Sequence, residues 1–171
     1  MGGMAVEYWF VKHAVAAPGA QTAAPAGSDL AADVSRLKAL VPPQSHTMTD
    51  VGYQWANLWF AADKKNWPLA RFFFDAARQQ IRWTIAIRPV RPLPAGGTVN
   101  IRGIFDAIDP SAFATVQLAI EDANSAEFVT AYKAALTACY SCHVSAGMPY
   151  LRPMIPTAPP STLISFDPVA K

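Results

Sequence analysis

Both cysteines of the 171-residue chain fall in one stretch, ACYSCHVSAG at residues 138–147, as Cys139 and Cys142 with His143 directly after them. Two thiols three residues apart occupy adjoining positions of one helical turn. From there both can form thioethers with the two vinyl groups of a single haem while the imidazole of His143 coordinates its iron, the pattern of c-type haem attachment. Other chemistry competes for the same residues. A Cys139–Cys142 disulfide would close a small strained loop, and a helix holds the two Cα atoms awkwardly for it. A thioredoxin-like dithiol calls for a strand and a βαβ context. Zinc wants about four ligands, and the other two histidines, His13 and His46, are distant in sequence. The expected cofactor is therefore one covalently attached haem c.

No other motif in the chain carries comparable chemistry. There is no Ser-His-Asp order, glycine-rich phosphate loop or HExxH, and the adjacent Glu121 and Asp122 read as a solvated helix face. The chain thus reads as an electron carrier rather than an enzyme. A formal charge of +2 is too small to steer nucleic acid or to hold an anionic membrane. With 52% hydrophobic and 11% aromatic residues the chain can build one globular core. No apolar run approaches the roughly 18 residues that would suggest a transmembrane helix. The first residues lack the order of positive end, apolar stretch and small-residue cleavage site of a secretory signal, so any export signal is expected to be absent from this chain or already removed.

The elements that must position the motif follow from periodicity. Residues 1–28 end in an uncharged Ala/Pro/Gly-rich stretch and read as an N-terminal segment and linker, leaving 29–171 as the domain. Asp29 can cap a short pre-helix carrying Leu30, Val34, Leu37 and Val41, stopped by Pro42-Pro43. The spacing of Val51, Trp55, Leu58, Trp59 and Ala62 predicts a helix over about 47–63. Asn66 caps the next, with Pro68 in its first turn and an expected buried face of Leu69, Phe72, Phe73, Ala76, Gln80, Trp83 and Ile87. Residues 88–109, rich in Pro and Gly, read as a long crossover loop. A third long helix is expected to start with Asp109 as cap and Pro110 at its first position, burying Phe113, Val116 and Ile120. A fourth follows Asn124, with Glu127 three residues on, along Phe128, Tyr132, Ala135, Leu136 and Cys139, and stops at Gly147. Pro149, Pro153, Pro156, Pro159, Pro160 and Pro168 make the rest an extended tail. The expected fold is all-α, an antiparallel four-helix bundle with a pre-helix before it and the Pro-rich tail behind.

In such a bundle the start of the first long helix lies beside the end of the last, so Met48 is the expected distal ligand opposite His143. A thioether there gives a low-spin iron of raised potential; the competing role is a flexible apolar plug at the bundle end. His46 and Met154 are the alternative ligands, with Met148 too close to His143 to cross the ring. Arg71, Arg78, Arg82 and Arg152 are candidate partners for haem carboxylates. Trp55, Trp59, Phe72, Phe73 and Trp83 could line a pocket, although their helical spacing favours core.

A four-helix bundle with Cys-x-x-Cys-His near the end of its last helix resembles the cytochrome c′ and cytochrome c-556 families. It is closer still to secreted monohaem cytochrome-like proteins, whose pattern is matched by Met48, NLWFAA at 57–62, NWPLA at 66–70, CYSCH at 139–143 and the PYLRP that follows. The likeness spans about Thr47 to Pro168; the pre-helix, the loop after residue 88 and the tail exceed the c′ pattern. The c-556 likeness implies a single-electron carrier with Met48 on the iron. The c′ likeness implies the alternative, a haem protein with an open distal side that binds or senses nitric oxide or carbon monoxide, and a homodimer paired through the first two long helices. Covalent haem attachment resembles an exported process, so a periplasmic or extracellular location and redox partner proteins are expected.

Overall fold

The computed structural model of the chain describes residues 29–160 and 162–169. The expected N-terminal segment and linker, with His13, lies outside the described residues. The chain divides into two units, Met1–Val41 and Pro42–Lys171. The described part of the first unit is one helix, α1 (Leu30–Leu40), which starts where Asp29 accepts a hydrogen bond from the Ala31 amide at 3.0 Å. Leu30, Leu37 and Leu40 are exposed on it.

The second unit is all-α apart from one small hairpin. It comprises α2 (Gln44–Asp63), α3 (Trp67–Ile87), strands β1 (Val90–Pro92) and β2 (Thr98–Asn100), α4 (Ile101–Ile108), a π-helical turn (Asp109–Phe113), α5 (Ala114–Glu121) and α6 (Ser125–Ser145). α2 packs along α3, α5 along α6, and α3 against α5, while α6 also meets α2 and α4. No helix of the described residues is long and apolar enough to cross a membrane.

Two corners use one device. At the end of α2, Lys65 takes a left-handed conformation (φ 56°), its amide donates to the Ala62 carbonyl, and the Asn66 amide reaches back to Ala61 at 2.8 Å. Asn66 then turns its side chain forward to accept from the Leu69 amide, which caps α3. At the end of α5, Ala123 (φ 53°) and Asn124 repeat the pattern, with Asn124 accepting from Ala126 and Glu127. Each asparagine closes one helix and opens the next.

Three expectations need correction. The face of α3 is rotated by one residue: Ala70, Phe73, Phe74, Ala77, Ile81, Thr84 and Ile85 are buried, while Phe72 is 61% exposed and Trp83 and Ile87 also face outward. Phe72–Phe74 is a run of three phenylalanines that fits either register. Ala70 and Ala77 are fully buried, but their small side chains give little weight to an apolar pattern. The stretch read as a loop, 88–109, instead holds the hairpin and α4. β1 and β2 pair antiparallel (Val90 with Asn100, Arg91 with Val99, Pro92 with Thr98), and Asn100 caps α4 by accepting from the Gly103 amide.

Lastly, Asp109-Pro110 does not open a helix but lies inside one. Proline lacks the N–H due to the carbonyl four residues earlier and crowds that carbonyl; a π turn widens the helix there. Ser111 Oγ donates to the carbonyls of Ala107 and Ile108 at 2.7 and 3.1 Å, which serves acceptors the turn leaves short of donors.

The core is aromatic. Trp55 of α2 lies 5.0 Å from Phe113 of the π turn and stacks on Tyr132 of α6 at 5.4 Å. Trp59 meets Tyr132 and Phe128, and the fully buried Tyr132 hydroxyl donates to the Trp55 carbonyl at 3.1 Å. From Leu151 onward the described tail residues form neither helix nor strand and bend at several points, among them residues 157–158 and 162–164. The tail returns to the α2–α3 corner, where Asn66 Nδ2 donates to the carbonyls of Phe166 and Asp167.

Candidate functional site

The Cys-x-x-Cys-His motif occupies the last turns of α6. The helix ends at Ala146 with Gly147 left-handed (φ 75°); the Gly147 amide donates to Val144 and the Met148 amide to His143. Glycine is needed twice over: its conformation disfavours other residues, and a Cβ would lie 3.0 Å from Pro94 Cδ. The hairpin loop is thereby seated on the end of α6.

Cys139 and Cys142 are both free thiols, half-buried and packed against the core. Burial pushes the Cys139 thiol up to about 12, the charge of Cys142 adding to it, and burial raises Cys142 as well. Such thiols stay protonated near neutrality, the opposite of the lowered pKa that a redox-exchange pair uses.

The imidazole of His143 is oriented from outside the helix. Its Nδ1 lies 2.7 Å from the Leu151 carbonyl oxygen. A carbonyl only accepts, so this hydrogen bond puts the proton on Nδ1, and in the neutral ring Nε2 keeps its lone pair. No hydrogen bond of the described residues engages Nε2. A ligating histidine is commonly held in this way, one nitrogen fixed to a carbonyl and the other free for the metal. The same tail segment is tied down beside it: Tyr140 donates its hydroxyl to the Pro149 carbonyl at 3.1 Å, and the Arg152 guanidinium lies 5.4 Å above the Tyr140 ring. The PYLRP segment therefore serves as a backbone collar around the motif.

Among the described residues no three His, Cys, Asp or Glu side chains gather to hold an ion. Among the described residues a cage of the zinc type, with the sulfurs themselves as ligands, is not assembled. Two free thiols and one pinned imidazole within five residues of α6 suit covalent haem, in which the sulfurs would bond carbon and only His143 would meet the metal.

The remaining candidates separate by environment. Met48 is half-buried in α2 and packs against the core, whereas His46 is exposed in the first turn of the same helix. Met154 is 72% exposed in the tail. Arg71 pairs with Asp75 and Glu121, and Arg78 and Arg82 both bind Asp109. Burial raises the Asp109 carboxyl, but the two arginine hydrogen bonds outweigh this and hold it below its ordinary value. Trp55 and Phe73 are core, Trp59 packs beside it, and Phe72 and Trp83 face outward.

Sequence reasoning missed Arg91. Its Nη1 donates to Gln44 Oε1 at 3.1 Å, and its Nε is buried with no hydrogen-bond partner. Placed in a segment read as loop, it carried no signal. Tyr140 was equally silent, since only the tail's course gives its hydroxyl an acceptor.

Compared with family models, with curated proteins and with solved structures, the chain matches none.

Proposed function

We propose that the chain is a monohaem c-type cytochrome that carries single electrons, with haem bonded to Cys139 and Cys142 and ligated by His143. The observation that carries this reading is the His143 ring, fixed through Nδ1 to the Leu151 carbonyl, beside two reduced thiols on the same face of α6. When bound, the haem supplies one-electron chemistry at its iron. The chain's own part is to fix the ring of His143, to keep the two thiols half-sheltered on one face of α6, and to present a distal side chain.

Met48 is that side chain in this proposal, and the bundle is antiparallel. Trp55 meets Tyr132 and Trp59 meets Phe128, so numbers rise along α2 as they fall along α6. Carried about two turns further, the same pairing brings Met48 level with Cys139. The three-residue links Lys64–Asn66 and Asp122–Asn124 also suit an antiparallel four-helix bundle of α2, α3, the helical stretch 101–121 and α6. The exported location and the redox partner proteins belong to the same proposal, because they follow from the attachment chemistry.

The test is the absorption spectrum of the oxidised protein, and of the reduced protein with and without carbon monoxide, on wild type and on Met48→Ala. The proposal expects a low-spin wild type with a sulfur-to-iron band when oxidised, slow or no carbon monoxide binding, and loss of the band with fast binding in Met48→Ala. A high-spin wild type that binds carbon monoxide at once would transfer the assignment to the gas-binding alternative. A sulfur band that survives in Met48→Ala would point to Met154.

A further inference from the structure

Arg91 lies in β1 opposite Val99, on the hairpin that bridges two helix ends. On one side its Nη1 meets Gln44, the first residue of α2, one turn before Met48. On the other, Leu93 and Pro94 lie against Gly147, four residues after His143. The hairpin thus ties the start of α2 to the end of α6, beside the motif.

The guanidinium is poorly served where it sits. A guanidinium offers five N–H donors in a rigid fork. Among the described residues it has no carboxylate partner, only the neutral Gln44 amide, and its buried Nε–H has no acceptor. Such a donor costs free energy unless something accepts from it. By contrast Arg36, Arg71, Arg78 and Arg82 each pair with a carboxylate.

A planar fork of this kind matches a carboxylate with two parallel hydrogen bonds. We propose that Arg91 binds a propionate carboxylate of the haem, with Gln44 steadying the guanidinium. The inference rests on the haem reading above and deepens it. It replaces Arg71, Arg78 and Arg82 as carboxylate partners, since those three are occupied by Asp75, Glu121 and Asp109.

The experiment compares wild type, Arg91→Gln and Arg91→Lys, each with covalent haem, by resonance Raman spectroscopy and redox titration. In Arg91→Gln the propionate-bending band shifts and the equilibrium constant for reduction falls about tenfold, because a positive charge near the iron is lost. Arg91→Lys keeps the charge and holds that constant within about threefold, yet its band still shifts because the fork is gone. If Arg91→Gln does not fold, the Arg91→Lys band decides alone. Covalent haem with an unchanged band in the variants overturns the role of Arg91 and leaves the haem reading standing. A wild type without covalent haem overturns both.

Discussion

Between Phe128 and Ala135, α6 presents side chains sealed by rings from α2 and the π turn. One turn later, between Cys139 and His143, the same helix presents side chains that are only half-buried and are held by loop backbone: the Leu151 carbonyl on His143 and the Pro149 carbonyl on Tyr140, with the hairpin loop on Gly147 just beyond. The first region is held by packing, with Trp55, Phe128 and Tyr132 set ring against ring and the Tyr132 hydroxyl on the Trp55 carbonyl, although the buried Trp55 Nε1 has no hydrogen-bond partner. Packing does not account for the second. Cys139 and Cys142 pack against the core only in part, and the His143 ring is held by the tail through Nδ1 alone. The two stretches of α6 thus differ in what holds their side chains: aromatic rings in the first, loop backbone in the second.

The comparison breaks most sharply if the two halves of α6 respond alike to truncation. Tyr132→Ala removes a fully buried ring and its hydrogen bond to Trp55, and should cost about 3–5 kcal/mol of unfolding free energy in denaturant titrations. Cys139→Ala in the haem-free protein should cost no more than about 1 kcal/mol, since a half-buried thiol leaves little void. Equal losses would mean that the motif end is ordinary core.

A middle-sized effect is expected at the π turn, the other place where α4–α5 departs from pattern. Asp109→Asn weakens the bonds from Arg78 and Arg82 and should lower stability by about 1–2 kcal/mol near neutral pH, discounted because Arg82 is well exposed. Its folded carboxyl lies below its ordinary value, so the stabilisation is present above about pH 4 and is lost as pH falls through the lowered folded value. Melting temperatures of wild type and Asp109→Asn should therefore converge on acidification; a gap that stays constant down to pH 2 would remove the ion pair from the account.

The smallest change sharpens the view of the corners. Ala123 holds a left-handed conformation that glycine adopts freely, so Ala123→Gly should stabilise by up to about 1 kcal/mol, read as a raised denaturation midpoint. Destabilisation would show that the methyl group packs usefully.

What could be read from the sequence follows the same division. Asn66, Asn124, Asp29 and Gly147 announced helix ends because capping is local chemistry, and all four act as expected. The motif was legible because its three residues lie within five positions of the chain. The face of α3 was not, because Phe72, Phe73 and Phe74 allow two registers and the alanines that decide between them carry no apolar signal. α4 was hidden because Asp109-Pro110 has the composition of a helix start, and only the arginines of α3 reveal that the aspartate faces sideways. Arg91 was invisible because its meaning lies in contacts with Gln44 and, through its hairpin, Gly147, both far away in the chain.

The central claim, that Cys139 and Cys142 exist to bond haem, is tested most directly by the intact mass of protein made in cells equipped for c-type haem attachment and then extracted with acid and acetone. The account predicts the chain mass plus one haem, retained through extraction and lost when both cysteines are replaced by alanine. A chain at its bare mass, with two free thiols or a Cys139–Cys142 disulfide, would contradict it.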